Sequence, residues 1–359
     1  MRIYKLVLKK CLSETDGSRR ANFQQKIMCA FRKKLIYIFT HKMKIKPKII
    51  VILGQTSTGK SDFAVEVAKE IGGEIISADS RQVYKGMDLG TGKITKKERK
   101  GVLHHLLDVA SPKKVFTVSD FKKLVDKKIK KIIKNKKIPI ICGGTGFYID
   151  AVVNGVTFPE VPPNKELREE LSKKSTGELF KILKKLDKER AKNIDINNPV
   201  RLIRAIEIAK ALGKIPKIIN NKTSTNSAMA EFVEVSKLPK FEVLKIGLTV
   251  PDEILKERIQ ARLLARIKKG MLKEIENLHK AGLSWKRMEA LGLEYRYGAQ
   301  YLQKKISRDD MIEKINTETW HYAKRQKTWF KRDLNTIWIN PTKKSEEAKA
   351  LKEIKKFLK

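Results

Sequence analysis

The stretch KIIVILGQTSTGKSD, residues 48–62, decides the fold because an apolar strand runs directly into a glycine-bounded loop. Its first seven residues are rich in isoleucine and valine, as is typical of a parallel strand that is buried on both faces. The pattern Gly-x-x-x-x-Gly-Lys-Ser follows, and it marks a P-loop when a strand precedes it and a helix succeeds it. The stretch therefore predicts a P-loop at the first turn of a parallel α/β domain.

This loop has the chemistry of an anion site. Its glycines allow successive backbone N–H groups to point at one anion, and the following helix contributes the positive end of its dipole. We expect Lys60 to reach a phosphate oxygen and Ser61 to ligate Mg²⁺. The loop alone does not say whether the phosphates belong to ATP. The predicted phosphate-binding residues are Gly54, Gln55, Thr56, Ser57, Thr58, Gly59, Lys60 and Ser61.

Strands and helices alternate along the first half of the chain. After the loop, an amphipathic pattern ends at Gly72, a typical C-terminal helix signal, and a lysine-rich helix is predicted from Asp120 with Ser119 as N-cap. Alternation of this kind predicts an α/β fold, a P-loop NTPase-like parallel sheet flanked by helices. Further strands are predicted at residues 74–80, 137–144 and 241–250.

The sequence changes character after the third strand, which suggests an inserted helical domain. From Pro162 the chain is charged and has helical spacing, and Asn198, Pro199 and Gly213 mark the start and end of one further helix. A polar run at 220–230 predicts a mobile loop. The expected domains are a basic N-terminal extension (1–46, disordered or a mis-assigned start), the first part of the core (47–158), a helical insertion (159–238) and the remaining core with C-terminal helices (239–359).

Composition favours a polyanionic partner. The chain has 359 residues, with 80 Lys and Arg against 40 Asp and Glu, a formal charge of +40. Such a surface concentrates nucleic acid, although a skewed genomic base composition also enriches lysine. The three cysteines lack metal or redox spacing, which suits a reducing, cytoplasmic location. No apolar run approaches the roughly 20 residues that a bilayer requires, so we expect a soluble protein without membrane contact.

Asp79 is the first candidate for acid-base chemistry. It ends the predicted second strand, and the carboxyl ends of parallel strands are where open α/β sheets build their sites. Such a carboxylate could position an acceptor hydroxyl, accept a proton or hold a metal. We find no apolar strand that ends in Asp or Glu as in motor ATPases, because PIICGGTG, residues 139–146, ends in glycines.

The sequence resembles the tRNA dimethylallyltransferases, also called tRNA isopentenyltransferases, over about Ile49 to Asn340. Six blocks occur in the family's order, which is far more specific than a P-loop alone. The resemblance implies transfer of a dimethylallyl group from dimethylallyl diphosphate to N6 of the adenine 3′ of a tRNA anticodon. The blocks are GQTSTGKS (54–61), SADSRQVYKGMDLGTGK (77–93), HHLLDVASP (104–112), IPIICGGTGFYI (138–149), NNPVRLIRAIEI (197–208) and KRQKTWF (324–330).

The resemblance also implies roles for individual residues. Asp79 is the implied general base, Thr145 the active-site threonine and Arg258 a phosphate-contacting arginine, with Arg262 one turn further on the same helical face. The implied cofactor is Mg²⁺ and the implied partner is the tRNA anticodon stem-loop. Separately, we expect a monomer. The implied tRNA-binding residues are Asp79, Ser80, Arg81, Gln82, Thr145, Arg168, Arg201, Arg204, Lys324, Arg325 and Gln326.

Residues 319–332 interleave aromatic and basic side chains. The basic residues suit an RNA backbone, whereas the aromatic residues could equally be core at helical spacing. Four positions depart from the family's pattern. In the loop, Gln55 stands where proline is usual, and Ser57 and Thr58 stand where alanine and a variable residue are usual. Glu294 stands where glycine is usual in an RNA-facing segment. The contacts of that segment are therefore left open.

Three other functions are compatible with parts of the sequence. A P-loop kinase for a small molecule, or an adenylate isopentenyltransferase acting on a free nucleotide, would use the loop and Asp79 but would not need the basic helical segments. A non-catalytic RNA-binding protein would need the basic segments but not Lys60, Ser61, Asp79 and Thr145 together.

Overall fold

The computed structural model describes residues 46–213, 234–235 and 241–359. Nearly all of the predicted N-terminal extension and the whole predicted mobile loop at 220–230 lie outside the described residues. Two short strands, β5 (Val156–Thr157) and β6 (Glu234–Val235), pair with each other in antiparallel fashion. The other strands are β1 (Lys48–Gly54), β2 (Gly73–Ser77), β3 (His104–His105), β4 (Ile138–Gly143), β7 (Glu242–Leu248) and β8 (Thr336–Ile339).

These other strands form one parallel sheet of six strands in the order β3-β2-β4-β1-β7-β8. The strand β1 lies inside the sheet, where Ile50 is paired with Ile140 of β4 and Leu244 of β7. The side chains of Ile49 and Ile50, which point to opposite faces, are both fully buried. The predicted parallel α/β sheet with β1 covered on both sides is confirmed.

Helices cover both faces of this sheet. Phe121, Val125 and Ile149 pack on one face, and Phe63 and Ile354 pack on the other. The helices are α1 (Lys60–Ile71), α2 (Val118–Lys134), α3 (Gly146–Val153), α4 (Lys165–Ser172), α5 (Thr176–Leu186), α6 (Lys188–Ala191), α7 (Pro199–Leu212), α8 (Asp252–Lys268), α9 (Met271–Lys280), α10 (Trp285–Glu289), α11 (Leu293–Leu302), α12 (Arg308–Phe330) and α13 (Lys344–Leu358).

Two predicted boundaries are wrong. The strand β2 ends at Ser77, so Asp79 lies in the loop after the strand and not at its last residues. The helix α2 starts at Val118, and its N-cap is Thr117 and not Ser119. Thr117 accepts a bond from the Asp120 N–H while the Asp120 carboxylate accepts from the Thr117 N–H. This reciprocal capping box satisfies two backbone donors, which a single serine cap does not.

The helices α4–α7 have an apolar core of their own, which includes Leu179, Leu183, Leu202 and Ile206. The predicted signals of α7 are confirmed: the Asn198 side chain accepts from the backbone N–H of its third residue, proline occupies the first position and glycine follows the end. The helices α8–α12 contribute to another apolar cluster together with the loop after β2. None of the described helices has the length and apolarity needed to cross a bilayer.

Candidate active site

The P-loop has a backbone conformation that requires glycine at both ends. Gly54 has φ of 143°, and a Cβ at this position would lie 2.3 Å from the carbonyl oxygen of Leu248. Gly59 has φ of 90° and is the N-cap of α1. Other residues rarely adopt such φ values. The loop therefore curls tightly between β1 and α1, and its N–H groups lie at the N-terminus of the helix.

Lys60 is held within this loop. Its Nζ donates to the carbonyl oxygen of Gln55, which also accepts the Thr58 hydroxyl at 2.8 Å. Burial is the main cause that lowers the pKa of Lys60 to about 8, and Arg262 lowers it further. Removal from bulk water disfavours the charged amine. A bound anion would reverse this effect, which is the behaviour expected of a phosphate-binding lysine.

The Asp79 side chain is fixed by the turn that follows it. Its Oδ1 accepts the backbone N–H groups of Arg81 at 2.8 Å and Gln82 at 3.3 Å. Within the described part of the chain its Oδ2 has no hydrogen-bond partner. The carboxylate is therefore oriented by one oxygen and free to act through the other.

Thr145 brings the loop after β4 against the loop after β2. Its Oγ1 accepts the Ser80 N–H at 3.0 Å, and its own N–H donates to the Ala78 carbonyl at 3.2 Å. A Cβ at Gly143 would lie 2.2 Å from that same carbonyl oxygen, so the approach requires glycine. The predicted catalytic pair of Asp79 and Thr145 is thus brought together by backbone contacts.

These loops border a cleft of about 720 Å³. The P-loop forms one part of its wall, and Asp79 and Gln82 line it together with side chains from α8 and α12. Such a concave site with several polar groups suits a small ligand. The α8 and α12 residues in the wall include Arg258, Arg262, Arg266, Tyr322 and Gln326.

Both candidate arginines, Arg258 and Arg262, line the cleft. Among the described residues neither forms an ion pair, so both guanidinium groups can bind an anion. Desolvation, and next the charge of Arg266, lower the pKa of Arg262. Its influence on the pKa of Lys60 places Arg262 near the P-loop. The structure therefore supports Arg262 as well as the predicted Arg258.

Glu294, one of the residues that depart from the resembled family, has a defined contact. Its Oε1 accepts a hydrogen bond from Arg266 at 3.0 Å. The Arg266 guanidinium also fills the space beside Gly92, where a Cβ would lie 2.2 Å from its Nη2. This ion pair reduces the positive charge of α8 at one end of the cleft.

The three predicted tRNA-binding arginines of the helical insertion lie outside the cleft wall, and two of them contact a buried carboxylate. Glu207 is 2% exposed and binds Arg168 at 2.8 Å and also Arg204. Burial raises the pKa of Glu207, but hydrogen bonds from Arg168 and Arg204 outweigh this and hold it below its usual range. Arg201 lies 3.8 Å from Asp195. These arginines are therefore partly neutralised within the insertion.

The helix α12 carries exposed cations next to one buried polar residue. Lys324 and Arg325 are exposed, as predicted for RNA contact, whereas Gln326 is 5% exposed. Its amide bonds to the N–H of Thr56 and the carbonyl of Gly144. The resemblance implies that Gln326 binds tRNA. In the structure its side chain is instead buried between two loops, and both ends of its amide have backbone partners.

Sequence reasoning did not identify Tyr322 as a site residue. It lines the cleft, and desolvation raises the pKa of its hydroxyl to about 12. The available signal was its spacing, because Tyr322 lies four residues before Gln326 and hence on the same face of the helix.

The Mg²⁺ prediction is compatible with the donors in the cleft. Ser61 is the second residue of α1 and lines the cleft. No group of three His, Cys, Asp or Glu side chains suited to a metal occurs in the part of the chain that the structure describes. Mg²⁺ commonly takes most of its ligands from phosphate and water. One serine hydroxyl beside a phosphate loop fits that pattern.

Comparison with known proteins identifies the family. The family model described as IPP transferase matches residues 82–333. A protein of Treponema denticola called tRNA dimethylallyltransferase 2 is 46% identical over 297 residues, which cover 82% of this chain and 95% of that protein. A protein of Acetivibrio thermocellus called tRNA dimethylallyltransferase is 36% identical over 314 residues, covering 86% and 97% of the two chains.

Solved structures give the same result. The tRNA isopentenylpyrophosphate transferase of Bacillus halodurans has a TM-score of 0.62 and 31% identity, over 87% of this chain and 96% of that chain. A eukaryotic dimethylallyltransferase described as acting on tRNA has a TM-score of 0.64 and 25% identity, over 81% and 74% of the two chains. The chain therefore belongs to the IPP transferase family, the tRNA dimethylallyltransferases.

Proposed function

We propose that this chain transfers a dimethylallyl group from dimethylallyl diphosphate to N6 of adenine 37 in tRNA, next to the anticodon. The names of its relatives support the reaction class. The observation that carries the proposal is that the P-loop and Asp79 line one cleft. An anion-binding loop and a carboxylate with a free oxygen are the two groups that this transfer needs.

The P-loop stabilises the departing diphosphate. As the allylic C–O bond breaks, its electron pair remains on a diphosphate oxygen and positive charge develops on the allyl carbon. Preorganised donors directed at the new negative charge lower the barrier. These donors are the N–H groups of residues 57–61, the Lys60 ammonium and the guanidinium groups of Arg258 and Arg262, whereas the Thr56 N–H is bound to Gln326.

Asp79 accepts the proton. As N6 of adenine forms its bond to the allyl carbon, the amine becomes acidic and must lose a proton. The Oδ2 of Asp79 takes it, while Oδ1 stays bound to the N–H groups of Arg81 and Gln82. Thr145, held beside Ser80, borders the position of the incoming base.

Mg²⁺ is the proposed cofactor, bound by the Ser61 hydroxyl together with diphosphate and water. When bound, it supplies positive charge that helps to neutralise the leaving group. The protein's own contribution is the position of Ser61 at the N-terminus of α1, beside Lys60.

The tRNA presents its anticodon loop to the same cleft. The target adenine must leave its stack at a cost of a few kcal/mol, and exposed cations around the cleft offset this through phosphate contacts. We propose that the protein acts as a monomer, because the P-loop, Asp79 and the arginines all come from one chain. We also propose that it is cytoplasmic. The proposed tRNA contacts are Asp79, Ser80, Arg81, Gln82, Thr145, Arg168, Arg201, Arg204, Lys324 and Arg325.

The test is a labelled-donor assay. Purified protein is incubated with Mg²⁺, labelled dimethylallyl diphosphate and tRNA that carries adenine at positions 36 and 37, and the tRNA is digested to nucleosides. We expect the label on N6-(dimethylallyl)adenosine from position 37. In parallel reactions that contain AMP or ATP, label on AMP would favour a nucleotide prenyltransferase, and transfer of the γ-phosphate of ATP would favour a kinase. Binding of tRNA without any transfer would favour an RNA-binding protein.

A further inference from the structure

One buried amide connects the phosphate-binding loop to the loop after β4. The Oε1 of Gln326 accepts the Thr56 N–H at 2.8 Å, and its Nε2 donates to the Gly144 carbonyl at 2.8 Å. One partner is a donor and the other an acceptor, so only this orientation of the amide satisfies both. Gln326 thus uses both ends of its side chain to join two backbones of the cleft.

The connection continues from Gly144 to the proposed base. Gly144 precedes Thr145, whose Oγ1 accepts the Ser80 N–H at 3.0 Å. Ser80 directly follows Asp79. Five covalent or hydrogen-bonded steps therefore lead from Thr56 of the P-loop, through one glutamine, to Asp79 on the acceptor side.

The packing around this amide leaves little freedom. A Cβ at Gly144 would lie 2.3 Å from Nε2 of Gln326, so only glycine permits the approach. One turn earlier on α12, the Ala323 carbonyl accepts the Gln55 Nε2 at 3.3 Å. The helix therefore contacts the P-loop at two successive residues, Gln55 and Thr56.

We infer that Gln326 is a positioning residue that sets the separation between the phosphate-binding loop and the loop bearing Asp79 and Thr145. The inference rests on the proposed function, in which the leaving group and the base belong to these two loops. Bond formation requires reacting atoms at near-attack distance, and a misplacement of about 1 Å can cost about 100-fold in rate. Gln326 acts through both loops and needs no contact with tRNA.

The substitution Gln326→Glu tests this while keeping the shape of the side chain. The ionised carboxylate still accepts from Thr56 but has no proton for the Gly144 carbonyl and repels it. We expect kcat to fall roughly 10- to 100-fold, with tRNA affinity unchanged within about threefold. Lowering the pH protonates the carboxyl, which then donates to Gly144. The ratio of variant to wild-type kcat should therefore rise as the pH falls.

Two further variants make the test decisive. Thr328→Ala is the matched control, because Thr328 is exposed on the same helix, and it should retain wild-type kcat. Gly144→Ala, which displaces the amide from the opposite side, should reproduce the loss even if Gln326→Glu fails to fold. Unchanged kcat with tRNA affinity weakened more than about tenfold would overturn the inference and make Gln326 an RNA contact. Wild-type protein that labels no tRNA would instead reject the proposed function.

Discussion

The helical insertion and the loops around the cleft hold their charged side chains in different ways. In the loops around the cleft, Lys60, Asp79 and Thr145 are each bound to backbone groups, so their positions follow from the fold itself. In the insertion, Arg168 and Arg204 extend from helices and share one buried carboxylate, Glu207. Bond-making requires fixed atoms, whereas phosphate contacts tolerate movement. The two regions should therefore respond differently to substitution.

The largest effect is expected in the cleft, for Asp79→Asn. The amide oxygen can still accept from the N–H groups of Arg81 and Gln82, so the turn should persist, but the proton acceptor is lost. We predict a decrease in kcat of roughly 100- to 10,000-fold, with tRNA affinity unchanged within a few fold. Single-turnover kinetics and filter binding measure the two quantities. A fully active Asp79→Asn enzyme would remove the proposed base.

An intermediate effect is expected from pH on diphosphate binding. The pKa of Lys60 is about 8 in the free protein because of burial, and a bound anion should raise it. The ratio of wild-type to Lys60→Arg affinity for inorganic diphosphate, in which the ligand's own titration cancels, should be constant below about pH 8 and fall above it, by up to about tenfold per pH unit. Calorimetry in buffers of different ionisation heat should show proton uptake above that pH.

The control for this measurement is Lys60→Arg, since a guanidinium remains charged throughout the range. Its diphosphate affinity should depend less on pH than that of the wild type. A ratio of affinities that stays flat up to pH 9.5 would show that Lys60 is not the titrating contact.

The smallest effects are expected for the cations that lie outside the cleft wall. Arg201→Ala and Lys324→Ala should each weaken tRNA binding by only a few fold and reduce the slope of log affinity against log salt by about one. Lys349→Ala, an exposed lysine of α13, is the matched control and should change neither quantity. A loss of kcat at saturating tRNA in the Arg201 variant would contradict the expectation that the insertion contributes to tRNA binding and the cleft to bond-making.

The sequence predicted the fold well because its strongest signals are local. The apolar run 48–54, the loop glycines and the Asn-Pro start of α7 each specify one conformation with few alternatives. The short strands β3 and β8 were missed, because two and four residues carry too little periodicity and form by pairing with a sheet already in place.

The candidate site could be predicted only in part. Glycine spacing identifies the P-loop, and the end of a strand identifies Asp79 to within two residues. The burial of Gln326 and the shared use of Glu207 by two arginines depend on contacts over long sequence separation. A charged or polar residue on a helix looks the same in the sequence whether it faces solvent or a loop. These roles could therefore be identified only from the structure.

The central claim is that the glycine-bounded loop holds the leaving diphosphate while the adenine amine approaches the allyl carbon from the side of Asp79. A crystal structure with a non-reactive dimethylallyl diphosphate analogue and an anticodon stem-loop tests it most directly. We predict the diphosphate against the N–H groups of residues 57–61, with N6 of adenine between the allyl carbon and the Asp79 carboxylate. A diphosphate bound away from this loop, or an amine that faces away from Asp79, would contradict the account.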